Sequence, residues 1–310
     1  MNMMVRLAPD TDAVADAQQR RLTALNGARL VPGLPDADWR ARLAGRHAAE
    51  LEEGAFLEAA CARVAQQAAS APTDPAGFVA WFEALRQTGP GQNDPLFPWL
   101  ADTATMAQMR WFLAQEVAGE AGFDDLTALT MLRMPTRPKL ELARNLWDEM
   151  GRGQARGMHG PMLGALAAHL ELDLVDDETV WEAAALANTM AGLAFNRRYA
   201  YHAIGALGVV ELTAPDRAAL VAAGLARLGV GAGPRHYFAL HAVLDVRHSA
   251  AWNAEVIGPL VASVPGCAVA IAEGALMRLA CGAACFSRYR GEFGVIGCRA
   301  PHPCYIELPL

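Results

Sequence analysis

Tyr237-Phe-Ala-Leu-His241-Ala-Val-Leu-Asp245-Val-Arg-His248 decides how the chain is read. His241, Asp245 and His248 stand at i, i+4 and i+7. At about 100° per residue they fall on one stripe of a single helix. Phe238, Leu240 and Leu244 make much of that helix apolar, so the stripe is carried by a partly buried element. Two imidazoles and a carboxylate converging from such a helix suit iron or another first-row metal. The spacing alone is equally that of a polar stripe facing solvent, so the rest of the chain has to supply the argument.

The same helical periodicity runs outward in both directions. Alanine and leucine dominate the 310 residues, 53% of the chain is hydrophobic, and no convincing strand alternation occurs. That composition favours helix and excludes a disordered chain. Residues 1–35, with Pro9, Pro32 and Pro35, read as a loosely attached irregular arm, followed by one helical domain over 36–310. Helices are predicted from Trp39 to about Gln67, near Phe78–Arg86, and at about 104–122 with Thr103 as cap. Pro135 and Pro138 end a following short helix, and others cover Lys139–Glu149, 158–170 and 178–193. Two separate helices are predicted at 196–210 and 215–228, because Thr213-Ala-Pro215-Asp216 has the composition of a helix start. Further helices fall at 234–247, 250–262 and 266–285. Thr88–Pro98 reads as a linker, and the tail from Gly291 as irregular. The architecture is therefore an all-α helical bundle.

Three other segments could bring ligands to the His241 stripe. Asp148-Glu149 ends one helix and His159 opens the next, with Gly151, Gly153 and Gly157 between. In an unbroken helix Glu149 and His159 would point about 80° apart, but glycines permit a break that turns both inward. Glu211 closes the apolar run Ala-Leu-Gly-Val-Val, where a carboxylate is either partnered or on a rim. Glu116 and Glu120 flank the face formed by Phe112, Leu113 and Phe123. Each of these segments is also readable as surface charge. Asp148 is either an outer partner to a ligand or a solvated acid. Together they supply carboxylates and histidines from at least four helices, which is what a di-metal carboxylate bundle requires.

In its order of Glu, Glu…His, Glu, then His-x3-Asp-x2-His, the chain resembles the haem-oxygenase-like di-iron oxidase and oxygenase family, often labelled iron-containing redox enzymes. NLWDEMGRGQARGMHGPML (145–163) and ALGVVELTAPDR…GLARLGVGAGPRHYFALHAVLDVRH (206–217, 224–248) carry the likeness, within a ligand-bearing core of about 100–260. The resemblance implies a haem-oxygenase-like helical bundle with two Fe(II) ions per chain and O2 as co-substrate. It implies as metal ligands Glu149, His159, Glu211, His241, Asp245 and His248, with Glu116 or Glu120 as the early glutamate. Some relatives carry a histidine seven residues after that glutamate; Phe123 stands seven after Glu116 here. The implied activity is O2-dependent oxidation of a small organic molecule, amino-acid-derived or fatty-acid-like, with an external electron donor. N-oxygenation, oxidative C–C cleavage and desaturation all occur in the family, often in natural-product biosynthesis. The competing readings are a non-catalytic helical binding or interaction protein and a cofactorless oxidase of the same fold.

A formal net charge of -7 without a Lys/Arg run argues against nucleic acid as partner. Leu260–Phe286, the most apolar segment, is interrupted by Pro265, Glu273 and Arg278, which argues against a membrane span. Six cysteines without a Cys-x-x-Cys pair, and no apolar leader in residues 1–12, imply reduced thiols and a cytoplasmic protein. Cys281 and Cys285, one helical turn apart, read as buried apolar residues in preference to ligands. Tyr199, Tyr201, His202 and Arg156 read as packing or solvated residues in preference to pocket lining. The oligomeric state stays open, a homodimer among the options.

Overall fold

A computed structural model describes residues 11–35, 37–120, 122–172 and 178–296. Within them the chain is helical, with one isolated bridge, Met150 to Met158, in place of any strand. The elements are α1 (Thr11–Leu30), α2 (Trp39–Ala68), α3 (Pro75–Thr88), α4 (Leu96–Asp102), α5 (Met106–Gly119), α6 (Phe123–Thr130) and α7 (Thr136–Glu149). They continue with α8 (His159–His169), α9 (Trp181–Phe195), α10 (Ala200–Arg227), α11 (His236–Ala251), α12 (Gly258–Ser263) and α13 (Cys267–Phe293). A π-helical turn, Trp252–Ile257, joins α11 to α12.

Several boundaries differ from expectation for identifiable reasons. Residues 11–30 are not a loose arm; α1 docks on α2 and α9. Leu22 and Leu25 are buried, and so are Gln19 and Asn26, whose amides meet Asn188 of α9. Arg29 adds an ion pair to Glu53 at 2.6 Å with both side chains buried. Residues 1–10 and 297–310, including Cys298 and Cys304, lie outside the described residues. Thr105, not Thr103, caps α5, because Thr105 and Gln108 close a reciprocal capping box. The linker expected over 88–98 already contains the start of α4. Pro138 sits in the first turn of α7, where a missing N–H costs nothing, so it does not end a helix there. Helix α13 runs to Phe293, past the tail boundary expected at Gly291.

The largest difference is α10, one helix where two were expected. Pro215 lies inside it, cannot bond the Glu211 carbonyl, and costs on the order of 3 kcal/mol. Burial of Ile204, Leu207, Val209, Leu212, Val221 and Leu225 outweighs that cost, at about 1.5–3 kcal/mol per fully buried aliphatic side chain. The hydroxyl of Thr213 donates back to the Val209 carbonyl at 2.7 Å instead of starting a new helix. Helices α10 and α13 cross so closely that a Cβ on Gly205 would run into the Ile271 carbonyl. Helix α13 is long and apolar enough by composition to cross a membrane, and here it lies against α2, α9 and α10. This α10–α13 pair, with α11 on the other side of α10, frames the interior where the acidic residues meet.

Candidate metal centre

Glu149 is the last residue of α7, and the chain must reverse to bring His159 beside it. Gly151, with φ 61°, makes that reversal, and its Cα packs against the backbone of Gly157 where no Cβ could fit. The Met150–Met158 bridge closes the loop. His159 Nδ1 then faces Glu149 Oε2 at 2.5 Å, with both side chains buried. The glycine break thus does bring both residues inward.

Helix α11 presents its stripe to the same place. The rings of His241 and His159 meet edge to face, 4.6 Å between centroids. His241 Nδ1 donates to the Tyr237 carbonyl one turn earlier, at 2.7 Å. A carbonyl can only accept, so this bond fixes the tautomer and leaves the Nε2 lone pair for a cation. His248 is fixed in the opposite sense. Its Nε2 donates to Asp148 at 3.2 Å, and Arg152 Nε holds the same carboxylate at 2.6 Å. That leaves His248 Nδ1 towards Glu211 Oε2, 3.4 Å away, and Asp245 Oδ1, 3.9 Å away. From α7, Asn145 Nδ2 donates to Glu211 Oε1 at 2.6 Å and orients that carboxylate.

Two sets of donor atoms result, each within 4.8 Å of one another: Glu149, His159 and His241, and Glu149, Glu211 and His248. Glu149 belongs to both. Asp245 stands beside the second set. Glu120 lies close enough to raise the proton affinity of Asp245, and Glu149 in turn raises that of Glu120. Glu116, one turn away on α5, is instead under the charges of Arg278 and Arg217. Of the two early glutamates, Glu120 is under the charge of Glu149 as well as Arg278, whereas Glu116 is under that of the two arginines.

The electrostatics are those of a site short of positive charge. Burial, then the charge of Glu211, pushes the Glu149 carboxyl up to about 8. Burial and Glu149 push Glu120 up to about 7. Asp245 is raised by burial and by Glu211, Glu149 and Glu120. Burial pulls His159 and His241 down to about 4. Burial also opposes charge on His248, yet the Glu211 and Asp148 carboxylates hold it up to about 9. Asp245 Oδ1 is buried without a hydrogen-bond partner, and His159 Nδ1 and His248 Nδ1 are buried with only carboxylate oxygens beside them. Buried polar atoms seldom stay unpaired, and a cation among these would satisfy them while offsetting the repulsion of the acids. The nitrogen and oxygen donors present fit iron.

The site opens into a cavity of about 130 Å³ lined by Glu116, Glu120, Glu149, Glu211, His241 and Asp245, together with Arg217, Arg278 and apolar side chains. Sequence reasoning missed Tyr237, Asn145, Asp124 and the two arginines. Tyr237 and Asn145 each lie four residues before a singled-out residue, so extending each helical stripe one turn would have found them. Asp124, whose charge acts on both Glu149 and His159, carries no such signal. Tyr199 and His202 lie elsewhere: the Tyr199 hydroxyl donates to Glu58 at 2.6 Å, and His202 meets Glu273 at 3.0 Å. Arg156 is exposed.

The sequence profile of the family described as iron-containing redox enzyme matches residues 110–283. That span contains Glu116, Glu120 and all six residues of the acid–histidine cluster from Glu149 to His248. No curated protein matches the chain.

Proposed function

The chain belongs to the iron-containing redox enzyme family, with its haem-oxygenase-like all-helical fold, and from that premise we propose that it is a di-iron, O2-dependent oxidase or oxygenase of a small organic substrate. The observation that carries this reading is that Glu149 belongs to both donor sets. A carboxylate common to two sets is what two ions sharing one bridging ligand need. In this reading Glu149, His159 and His241 hold one ion, and Glu149, Glu211 and His248 hold the other. Asp245 and Glu120 are the further carboxylates, and Glu116 is the outlier.

When bound, two Fe(II) ions supply the electrons that activate O2. The protein's own residues prepare the site. The Tyr237 carbonyl and Asp148 fix the two histidine tautomers, a kind of outer support that commonly sets metal affinity. Asn145 holds one Glu211 oxygen and so limits the rotation of that carboxylate. The apolar side of the cavity excludes bulk water from the reacting end of a substrate. Reducing equivalents come from an external donor, and the reaction falls among N-oxygenation, oxidative C–C cleavage and desaturation, in a biosynthetic setting.

An O2 pulse given to anaerobically Fe(II)-loaded protein tests the proposal. The expected result is O2 uptake with a transient visible absorbance, both lost in His241→Ala with the fold retained. Protein that takes up iron as a mere surface adduct, with O2 uptake equal in parent and variant, would remove the reading in favour of a non-catalytic helical module.

A further inference from the structure

A second group of ligating side chains lies away from the acid–histidine cluster, where α2 meets the α10–α13 crossing. Sγ of Cys61 (α2), a ring nitrogen of His202 (α10) and a carboxylate oxygen of Glu273 (α13) stand within 4.8 Å of one another. His202 and Glu211 are nine residues apart on α10, about 180° around the helix and about 14 Å along it. The two groups therefore occupy opposite faces of α10. The close crossing brings this one together: a Cβ on Gly274, next to Glu273, would run into the His202 carbonyl.

These side chains leave one another incompletely satisfied. His202 Nε2 lies 3.0 Å from Glu273 Oε2, and its Nδ1 is buried with no hydrogen-bond partner. Burial lowers the proton affinity of His202 against the pull of Glu273 and Glu58, so the imidazole is neutral at pH 7. Among the described residues Glu273 has no ion-pair partner besides that imidazole. Glu58, by contrast, is answered by Arg198 at 2.9 Å. The Cys61 thiol donates to the Met277 thioether at 3.4 Å. Burial and the two acids push this thiol up, while Arg198 and Arg63 pull against them. A dication would take the place of the thiol proton and meet the carboxylate that no cation answers.

Donor type and spacing narrow the ion. Thiolate, imidazole and carboxylate are all ligands of Zn(II), at about 2.0–2.3 Å, so around a tetrahedral ion they stand roughly 3.3–3.7 Å apart. Donors within 4.8 Å of one another reach that spacing by shifts of about 1 Å. A thiolate disfavours Mg(II) and Ca(II), which take oxygen. The carboxylate beside it disfavours Cu(I), which takes soft donors. The His202 and Glu273 side chains keep 13% and 19% of their surface, which gives an ion a way in from solvent.

We propose that Cys61, His202 and Glu273 bind a Zn(II) ion that ties α2 to the α10–α13 pair, separate from the centre around Glu149. Three protein ligands leave the fourth position to water. The site stands independently of the di-iron reading.

Co(II), a spectroscopic substitute for Zn(II), tests it on the metal-free full chain. Thiolate coordination gives Co(II) an intense near-ultraviolet charge-transfer band, and the donors around Glu149 include no thiol. The band should form in the parent and in Glu149→Ala, and Zn(II) should remove it by displacement. Cys61→Ser should lose the band and retain one Zn(II) per chain fewer than the parent in equilibrium dialysis. His202→Gln and Glu273→Gln should each weaken Co(II) at this site 10-fold or more with circular dichroism unchanged, and Met277→Leu should leave it nearly unaltered. Fe(II) retention should be equal in Cys61→Ser and the parent, which keeps a failure here apart from a failure of the di-iron reading. No thiolate band in the parent, or a band that survives Cys61→Ser, overturns the proposal. A loss in Met277→Leu as large as in Cys61→Ser overturns the ligand set.

Discussion

Metal-free protein should lose stability as pH rises from 7 to 9, and Glu149 should account for a measurable part of it. In the unfolded chain this carboxyl is ionised throughout that range. In the fold it keeps its proton to about pH 8. A folded-state pKa above the unfolded one means that the fold binds the extra proton at lower pH and forfeits that stabilisation as pH climbs through 8. Between pH 7 and 9 the loss is about one pH unit's worth, about 1.4 kcal/mol from Glu149 alone. His248, held up to about 9, acts in the same direction. His159 and His241, pulled down to about 4, have the opposite sense and act below pH 6.5, where the unfolded histidines protonate first. Half-buried Cys61 and buried Cys267, their thiols raised by desolvation, also favour the lower pH, so a variant is needed to isolate Glu149. Glu149→Gln keeps the size and removes the titration. The assay is thermal melting of chelator-treated parent and variant at both pH values. Relative to the variant, the parent should lose roughly 2 °C more between pH 7 and 9, at about 1.5 °C per kcal/mol for a domain of this size. Iron should abolish the difference in the parent, because a cation replaces the proton. Parallel melting shifts in parent and variant would refute the placement of Glu149 among buried acids.

Other perturbations reach different parts of the account. Asp148→Asn keeps shape but weakens the acceptor for His248 Nε2, so iron affinity should fall 10- to 100-fold with the melting temperature of metal-free protein little changed; an unchanged affinity contradicts the orienting role. Gly205→Ala drives a methyl into the Ile271 carbonyl at the α10–α13 crossing and should cost about 3 kcal/mol or more in urea denaturation; a cost under about 1 kcal/mol would mean the crossing is looser than described. Thiol titration of denatured, unreduced protein should count all six cysteines of the sequence as free, and a count of four or fewer would contradict the reading of reduced thiols.

What the sequence made legible follows how local each feature is. His241, Asp245 and His248 share one helix, so their spacing alone put them on one side. The meeting of Glu149 with His159 was readable because the glycines between them are a backbone signal. Glu116, in the last turn of α5, and Glu120, its C-cap, are four residues apart and look alike in sequence. What separates them is Arg217, whose charge acts on Glu116, and Glu149, whose charge acts on Glu120, both brought in by tertiary packing. Helix α1 escaped because its buried face is half amide: Gln19 and Asn26 point inward to Asn188, and apolar periodicity cannot register a polar contact of that kind. Pro215 misled for the complementary reason. Its local preference for a helix start is real, yet the buried length of α10 on both sides outweighs it.

The sharing of Glu149 is the central claim, and anaerobic equilibrium dialysis against Fe(II) tests it most directly. The parent should retain two ions per chain. His159→Ala, which touches one donor set, should retain one, and Glu149→Ala, which touches both, should retain none, with circular dichroism showing both variants folded. One ion or none in the parent, or equal retention by Glu149→Ala and His159→Ala, would contradict a carboxylate shared between two metals.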